Sequence, residues 1–185
     1  MRKRHRFGAG TIGIAVAIGL IYFSCKEVMI CNHSDFRLEK AKNLGFATCN
    51  NSREDLKEAT MVVFCTTPSR FGPTANVPIY IDATGAEPIL ELYQSIGKIE
   101  SRMVAVAVRV GKRPVDVLEM TYSQHALIGS RGYDPEDVEN VIAVMVQKKR
   151  DIEFIITDEF PQELITQAIK RAAAVDHALN VVIRY

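Results

Sequence analysis

The stretch "RKRHRFGAGTIGIAVAIGLIYFSC", residues 2–25, has two readings, and the choice between them decides the fold. Arg2, Lys3, Arg4, His5 and Arg6 make a basic start, and Phe7 to Cys25 then runs 19 residues without a charge. A positive head before an apolar run of that length fits a signal peptide or a membrane anchor. The same letters contain Gly8-Ala9-Gly10-Thr11-Ile12-Gly13, a glycine spacing suited to a phosphate-cradling turn that opens a helix. Gly8, Gly10, Gly13 and Gly19 interrupt the apolar run, and no small-x-small cleavage site follows it. Tyr22-Phe23-Ser24-Cys25 also lacks the aliphatic residue that a lipoprotein signal carries three places before its cysteine. The run leads directly into the next unit of a soluble fold. The glycine loop is therefore the primary reading, with an anchored or exported protein as an alternative.

A diphosphate is held by the N–H groups at a helix start, and the backbone must come close to reach it. Gly8 would allow the tight turn, Gly10 the close approach and Gly13 the packing of helix on strand, while Thr11 and Ile12 would offer N–H groups. A ribose-binding residue is expected about 20 residues on, at the end of a second strand. Asn32 closes "EVMICN", nineteen residues after Gly13, and His33 and Arg37 are close by. Asn32 can bond a ribose hydroxyl but, unlike an acid, repels no 2′-phosphate, and Arg37 can pair with a phosphate. The choice between NAD and NADP stays open. Asn32 also reads as a plain turn residue, and Arg37 as part of a solvated helix face. The fingerprint should follow a buried apolar strand, yet it follows a basic run with only Phe7 apolar. Buried unpaired charges are costly, so residues 1–7 are expected to be a solvated basic tail, the first strand being very short or missing.

Further along, "SDFRLEKAKNLG" reads as a helix capped by Ser34 and stopped at Gly45, "FATCN" as a strand, and "SREDLKEA" as a helix capped at Ser52. Met61 to Cys65 is an apolar run typical of a strand buried on both faces. "TTPSRFGPTANVP" reads as a loop, "IYIDATG" as a strand, "EPILELYQSIG" as a helix and "RMVAVAVRVG" as the longest strand. Asp134-Pro135-Glu136-Asp137 starts another helix, followed by a strand at "IEFIIT", a helix at "PQELITQAIKRAAA" and a strand at "LNVVIRY". This alternation implies an α/β fold with a doubly wound, mainly parallel sheet of the Rossmann type and a C-terminal α/β appendage. A net charge of +1 over 185 residues excludes a general polyanion binder, and the lone basic run carries no interleaved aromatics, so neither nucleic acid nor membrane is expected as a partner. Cys25, Cys31, Cys49 and Cys65 form no CxxC and read as buried free thiols of a cytoplasmic, reducing compartment.

The motifs "GAGTIG", "SDFRLEKAKNLGFA", "IDATGAEPILE", "RMVAVAV", "ALIGSRGYDPEDVENVI", "IITDEFPQELITQAI" and "ALNVVIRY" together resemble the C-terminal half of a medium-chain, zinc-type alcohol dehydrogenase, on the threonine, sorbitol or butanediol dehydrogenase branch. The resemblance runs from Gly8 to Tyr185. It implies an NAD(P)-binding Rossmann domain over residues 8–132, and a segment 133–185 that in the family completes the catalytic domain. It implies hydride transfer between a nicotinamide cofactor and an alcohol or ketone. Gly8, Gly10, Thr11, Ile12 and Gly13 would meet the diphosphate, Asn32 and Arg37 the adenosine ribose, Ala83 and Thr84 the adenosine side, and Val106 the nicotinamide. Sheet packing alone also accounts for Ala83, Thr84 and Val106. In the family the segment from Val104 to Leu118 pairs with its copy, which implies a homodimer or higher oligomer. The zinc-binding half and its proton relay have no counterpart here, so no catalytic or metal-ligating residue is assigned, and zinc belongs to the missing domain. Ala107 stands where the family often has glycine and Asn180 where it often has lysine. A chain of this kind is expected to be inactive alone; a non-catalytic nucleotide-binding module or degenerate subunit is the competing reading.

Overall fold

The computed structural model describes residues 3–108, 110–147, 152–174 and 176–185. Its strands are β1 (Lys3–Phe7), β2 (Glu27–Asn32), β3 (Ala47–Asn50), β4 (Thr66–Ser69), β5 (Gly72–Ala75), β6 (Ile79–Asp82), β7 (Arg102–Ala105), β8 (Ala126–Gly129), β9 (Ile156–Pro161) and β10 (Asn180–Arg184). Its helices are α1 (Thr11–Tyr22), α2 (Asp35–Asn43), α3 (Leu56–Phe64), α4 (Ile89–Ile96), α5 (Val117–Ser123), α6 (Pro135–Gln147) and α7 (Ile165–Ala173), with short 3₁₀ turns at Ile152–Ile155 and Gln162–Leu164. Six strands form one parallel sheet in the order β3-β2-β1-β6-β7-β8. Chain direction across the sheet reverses between β1 and β6, and a doubly wound fold opens its ligand crevice at such a point.

Period-2 alternation divides the core into two layers. Val28 and Ile30 of β2 pack with Ile14, Ala17 and Ile18 of α1 and Leu38 and Ala41 of α2. Met29 and Cys31 face the other way, onto Leu56 and Phe64 of α3 and Ile89, Tyr93 and Ile96 of α4. Within α2, the Ser34 hydroxyl accepts from the Arg37 N–H at 3.5 Å, Asp35 lies in the first turn, and Lys40 and Lys42 lie in the last. Those charges suit the helix dipole, and Gly45, at φ 79°, ends the segment.

Several sequence expectations are corrected. Lys3–Phe7 is not a tail: it is the central strand, hydrogen-bonded in parallel to β2 on one side and β6 on the other. Without it, two rows of backbone donors and acceptors on β2 and β6 would face each other unpaired. Met1 and Arg2 of the expected tail lie outside the described residues. The opening stretch is thus strand, turn and a 12-residue helix, and among the described residues no helix is long and apolar enough to cross a membrane.

Met61–Phe64 is helical, not a buried strand, because Leu56, Thr60 and Phe64 share one face of α3 at spacings of four, and Val62 is 85% exposed. The cap of α3 is Asp55, whose carboxylate accepts from the Glu58 N–H at 2.8 Å; Ser52 instead bonds back to Asn50. The expected loop at 66–78 contains the β4–β5 antiparallel hairpin. β7 spans only Arg102–Ala105, and Arg109 of the expected longer strand lies outside the described residues. Of "IEFIIT", the first four residues form a 3₁₀ turn and β9 begins at Ile156.

Three cysteines are buried, but Cys65 is exposed at the C-terminus of α3. The C-terminal strands β9 and β10 pair with each other in parallel, joined through α7. This unit packs on the nucleus around α1, with Ile155 in that core and Phe154 and Leu179 against it.

Candidate functional site

A cleft of about 330 Å³ opens at the C-terminal ends of β1, β2 and β6, lined by Gly8, Gly10, Cys31, Asn32, Arg37 and Thr84, among others. Six of the ten residues singled out from the sequence line it: Gly8, Gly10, Asn32, Arg37, Ala83 and Thr84. Gly8 leaves β1 at φ 101°, and its N–H donates to the Cys31 carbonyl at 2.8 Å. A Cβ there would lie 2.9 Å from Thr84 Cγ2 and 3.3 Å from the Ala83 carbonyl carbon, so only glycine fits both the φ and the space. Gly10 is the N-cap of α1, with no side-chain cap, and the first turn holds no acid. The helix therefore presents its positive end uncompensated, the arrangement that favours an anion.

Thr11, Ile12 and Gly13 form that first turn. Gly13 is buried, Ile12 is largely exposed, and the Thr11 hydroxyl donates to the Leu179 carbonyl at 3.1 Å. Arg37, on α2, is placed over the loop: its Nη1 is 3.7 Å from the point a Gly10 Cβ would occupy, and its Nη2 donates to the Ala178 carbonyl at 3.4 Å. The C-terminal unit thus reaches the loop through both Thr11 and Arg37. Asn32 forms a local turn, its Oδ1 accepting from the Ser34 N–H at 2.9 Å. Val106 is not among the residues lining this cleft; it follows β7, its N–H donates to the Asp82 carbonyl at 2.9 Å, and it packs on the α1 core.

The opposite wall is built by Asp82, which the sequence reading did not single out. Its buried carboxylate accepts from the Thr84 N–H at 2.8 Å, the Thr84 hydroxyl at 2.7 Å and the Gly85 N–H at 3.1 Å. The signal for it was the Asp-x-Thr-Gly order of Asp82-Ala83-Thr84-Gly85, a side-chain turn. Asn50 performs the same service behind Asn32, donating to the His33 carbonyl at 3.2 Å and to Asp35 at 2.6 Å. Next to it, Asn51 lines the cleft and holds a buried Oδ1 without a hydrogen-bond partner.

These features suit a dinucleotide: a glycine cradle, an uncapped helix start, a guanidinium above it and a spare acceptor. Zinc finds no such fit, because no group of three or more His, Cys, Asp or Glu among the described residues could hold a metal.

The chain is 23% identical over 155 residues to L-threonine 3-dehydrogenase of Proteus mirabilis (strain HI4320), covering 83% of this chain and 43% of that protein. It is 27% identical over 140 residues to D-xylulose reductase of Scheffersomyces stipitis, covering 75% of this chain and 36% of the relative. The chain therefore spans less than half the length of these relatives. Among solved structures, a short chain alcohol dehydrogenase from E. coli CFT073 complexed with cofactor NADH superposes with a TM-score of 0.84 at 21% identity, covering 100% of this chain and 52% of that one. The 2R,3R-butanediol dehydrogenase of Bacillus subtilis gives 0.83 at 16%, covering 100% and 51%. The model of the zinc-binding dehydrogenase family matches residues 10–147, and this chain belongs to that family, as part of its coenzyme-binding half.

Proposed function

We propose that this chain is the NAD(P)-binding portion of a zinc-type alcohol dehydrogenase, and that its cleft holds the adenosine diphosphate half of the cofactor. The observation that carries the reading is the convergence of Gly8, Gly10 and Arg37 on one cleft at the reversal point of the sheet. The bound dinucleotide supplies the hydride acceptor or donor for an alcohol–ketone pair. The chain's own residues bind and orient it. Gly8 and Gly10 let the backbone approach the diphosphate, Thr11, Ile12 and Gly13 present the helix start, and Arg37 faces the phosphate or the ribose. Asn32, Ala83 and Thr84 border the adenosine, with Asn51 Oδ1 ready to accept from an amino group. Val106, outside this cleft, is assigned to the nicotinamide side. Zinc and the proton relay are assigned to residues outside this chain.

A second copy is the proposed partner. β8 ends the six-stranded sheet among the described residues, with Leu127 and Ile128 exposed, and Val108 and Val110 of the 104–118 segment are exposed too. Such an edge invites strand pairing. The cytoplasm is the proposed setting, where four cysteines with no CxxC pair among them would stay reduced.

The test is an alcohol-oxidation assay on the chelator-treated chain with NAD⁺ and NADP⁺, read as reduced-nicotinamide absorbance. No turnover is expected; zinc-free turnover by this chain alone would overturn the assignment of catalysis to residues elsewhere.

A further inference from the structure

Cys31 and Cys49 are two of the three buried cysteines, and cofactor binding uses the thiol of neither. Their Cα atoms are direct register partners on the adjacent parallel strands β2 and β3. Neighbouring strands run about 4.8 Å apart, inside the roughly 4.4–6.8 Å window that a disulfide spans. Because paired residues of a parallel ladder project to the same side, both thiols enter the same core layer. They are 2% and 1% exposed, and a hydrogen bond joins the two side chains. Cys31 also lines the cleft, and β3 is the outer strand at that end of the sheet. β3 is a four-residue edge strand, and an edge strand opens by local unfolding more readily than a central one.

We propose that Cys31 and Cys49 form a dithiol modification site that hydroperoxides convert to a disulfide. Burial pushes the Cys31 thiol well up, whereas a hydrogen bond from Cys31 lowers the Cys49 thiol. Cys49 also lies on the edge strand β3, the side that local opening exposes, and it is therefore the attacking sulfur. Its thiolate attacks one peroxide oxygen, the O–O bond breaks, hydroxide leaves and takes up a proton, and Cys49 becomes a sulfenic acid. The Cys31 sulfur then displaces that oxygen as water, and the S–S bond forms. Two thiols lose two electrons in all, and hydrogen peroxide is reduced to two waters. The new bond sits one hydrogen bond from the phosphate loop, because the Cys31 carbonyl holds the Gly8 N–H.

The test uses the full chain carrying Cys65→Ser, which removes the exposed thiol, and hydrogen peroxide as the probe. After quenching with a thiol-blocking reagent, intact mass and peptide mapping report the products. A loss of two hydrogens with Cys31 joined to Cys49, absent in the further variant Cys49→Ser, is the expected result. Linkage through Cys25, oxygen addition at Cys31 or Cys49 without a link, or recovery of both thiols reduced would overturn the proposal. Circular dichroism confirms that the chain is folded before treatment. NADH binding measured in parallel on the untreated chain reports separately on the cofactor reading, so either can fail without the other.

Discussion

Alanine at Gly8 and alanine at Gly10 should injure the protein in different ways, and the difference tests the phosphate loop. At Gly8 the backbone lies at φ 101°, and an added Cβ would stand 2.9 Å from Thr84 Cγ2 and 3.3 Å from the Ala83 carbonyl carbon. A side chain in such a conformation costs about 1–3 kcal/mol. The Ala83 contact is with backbone, and Thr84 is itself tied down by Asp82, so neither neighbour yields freely. Gly8→Ala should therefore lose about 2–3 kcal/mol of folding stability. At Gly10, φ is −75° and ψ is 177°, which any residue adopts, and the added Cβ meets only Arg37 Nη1 at an ordinary 3.7 Å. Gly10→Ala should cost under about 1 kcal/mol as a poorer helix cap, yet its methyl fills the space in which a diphosphate would lie. NADH affinity should fall at least tenfold, about 1.4 kcal/mol. Stability is read by urea titration followed by circular dichroism, since the chain has no tryptophan. Affinity is read by reduced-nicotinamide fluorescence. Gly8→Ala at wild-type stability, or Gly10→Ala binding NADH as the wild type does, would refute the reasoning.

Phe64→Ala should cost about 3–5 kcal/mol, while Val62→Ser should stay within about 0.5 kcal/mol, because Phe64 is fully buried and Val62 85% exposed on α3; equal losses in urea titrations would restore the strand reading. Asp82→Ala strips the acceptor from three donors and should destabilise by about 2–3 kcal/mol, again by urea titration. For Asp158, burial raises the carboxyl, but the hydrogen bonds from Thr157 and Arg171 outweigh it and hold it below its ordinary value of 3.8. A depressed folded-state pKa stabilises above the unfolded value and loses that effect as pH falls through the folded one. Asp158→Asn should therefore melt lower than wild type at neutral pH, by roughly 1 kcal/mol, with the gap closing below about pH 4. Asn32→Asp should shift cofactor preference toward NADH over NADPH by at least about tenfold, measured as the ratio of the two dissociation constants.

Much of the site was legible because its parts are local. Gly8, Gly10 and Gly13 declare a loop and helix start by spacing alone, and Ser34 with Asp35 marks α2 by capping chemistry. The misread elements share a cause. Lys3–Phe7 holds its place by backbone pairing to β2 and β6, which its charged letters conceal. Met61–Cys65 is apolar enough for a buried strand, and the helical stripe that overrules it passes through Thr60, a residue that periodicity does not count as apolar; its hydroxyl is satisfied by the Leu56 carbonyl at 2.8 Å. The reach of Thr11 to Leu179 and of Arg37 to Ala178 joins residues 168 and 141 positions apart. No local pattern announces a contact of that kind.

The central claim is that Gly8, Gly10 and Arg37 enclose a working dinucleotide site although the strand that feeds it is rich in charge. Titration of the folded, purified chain with NADH and NADPH, followed by reduced-nicotinamide fluorescence, tests it most directly. Saturable binding in the micromolar range, at about −8 kcal/mol, is the predicted result. A chain that is folded by circular dichroism yet binds neither cofactor would contradict the account.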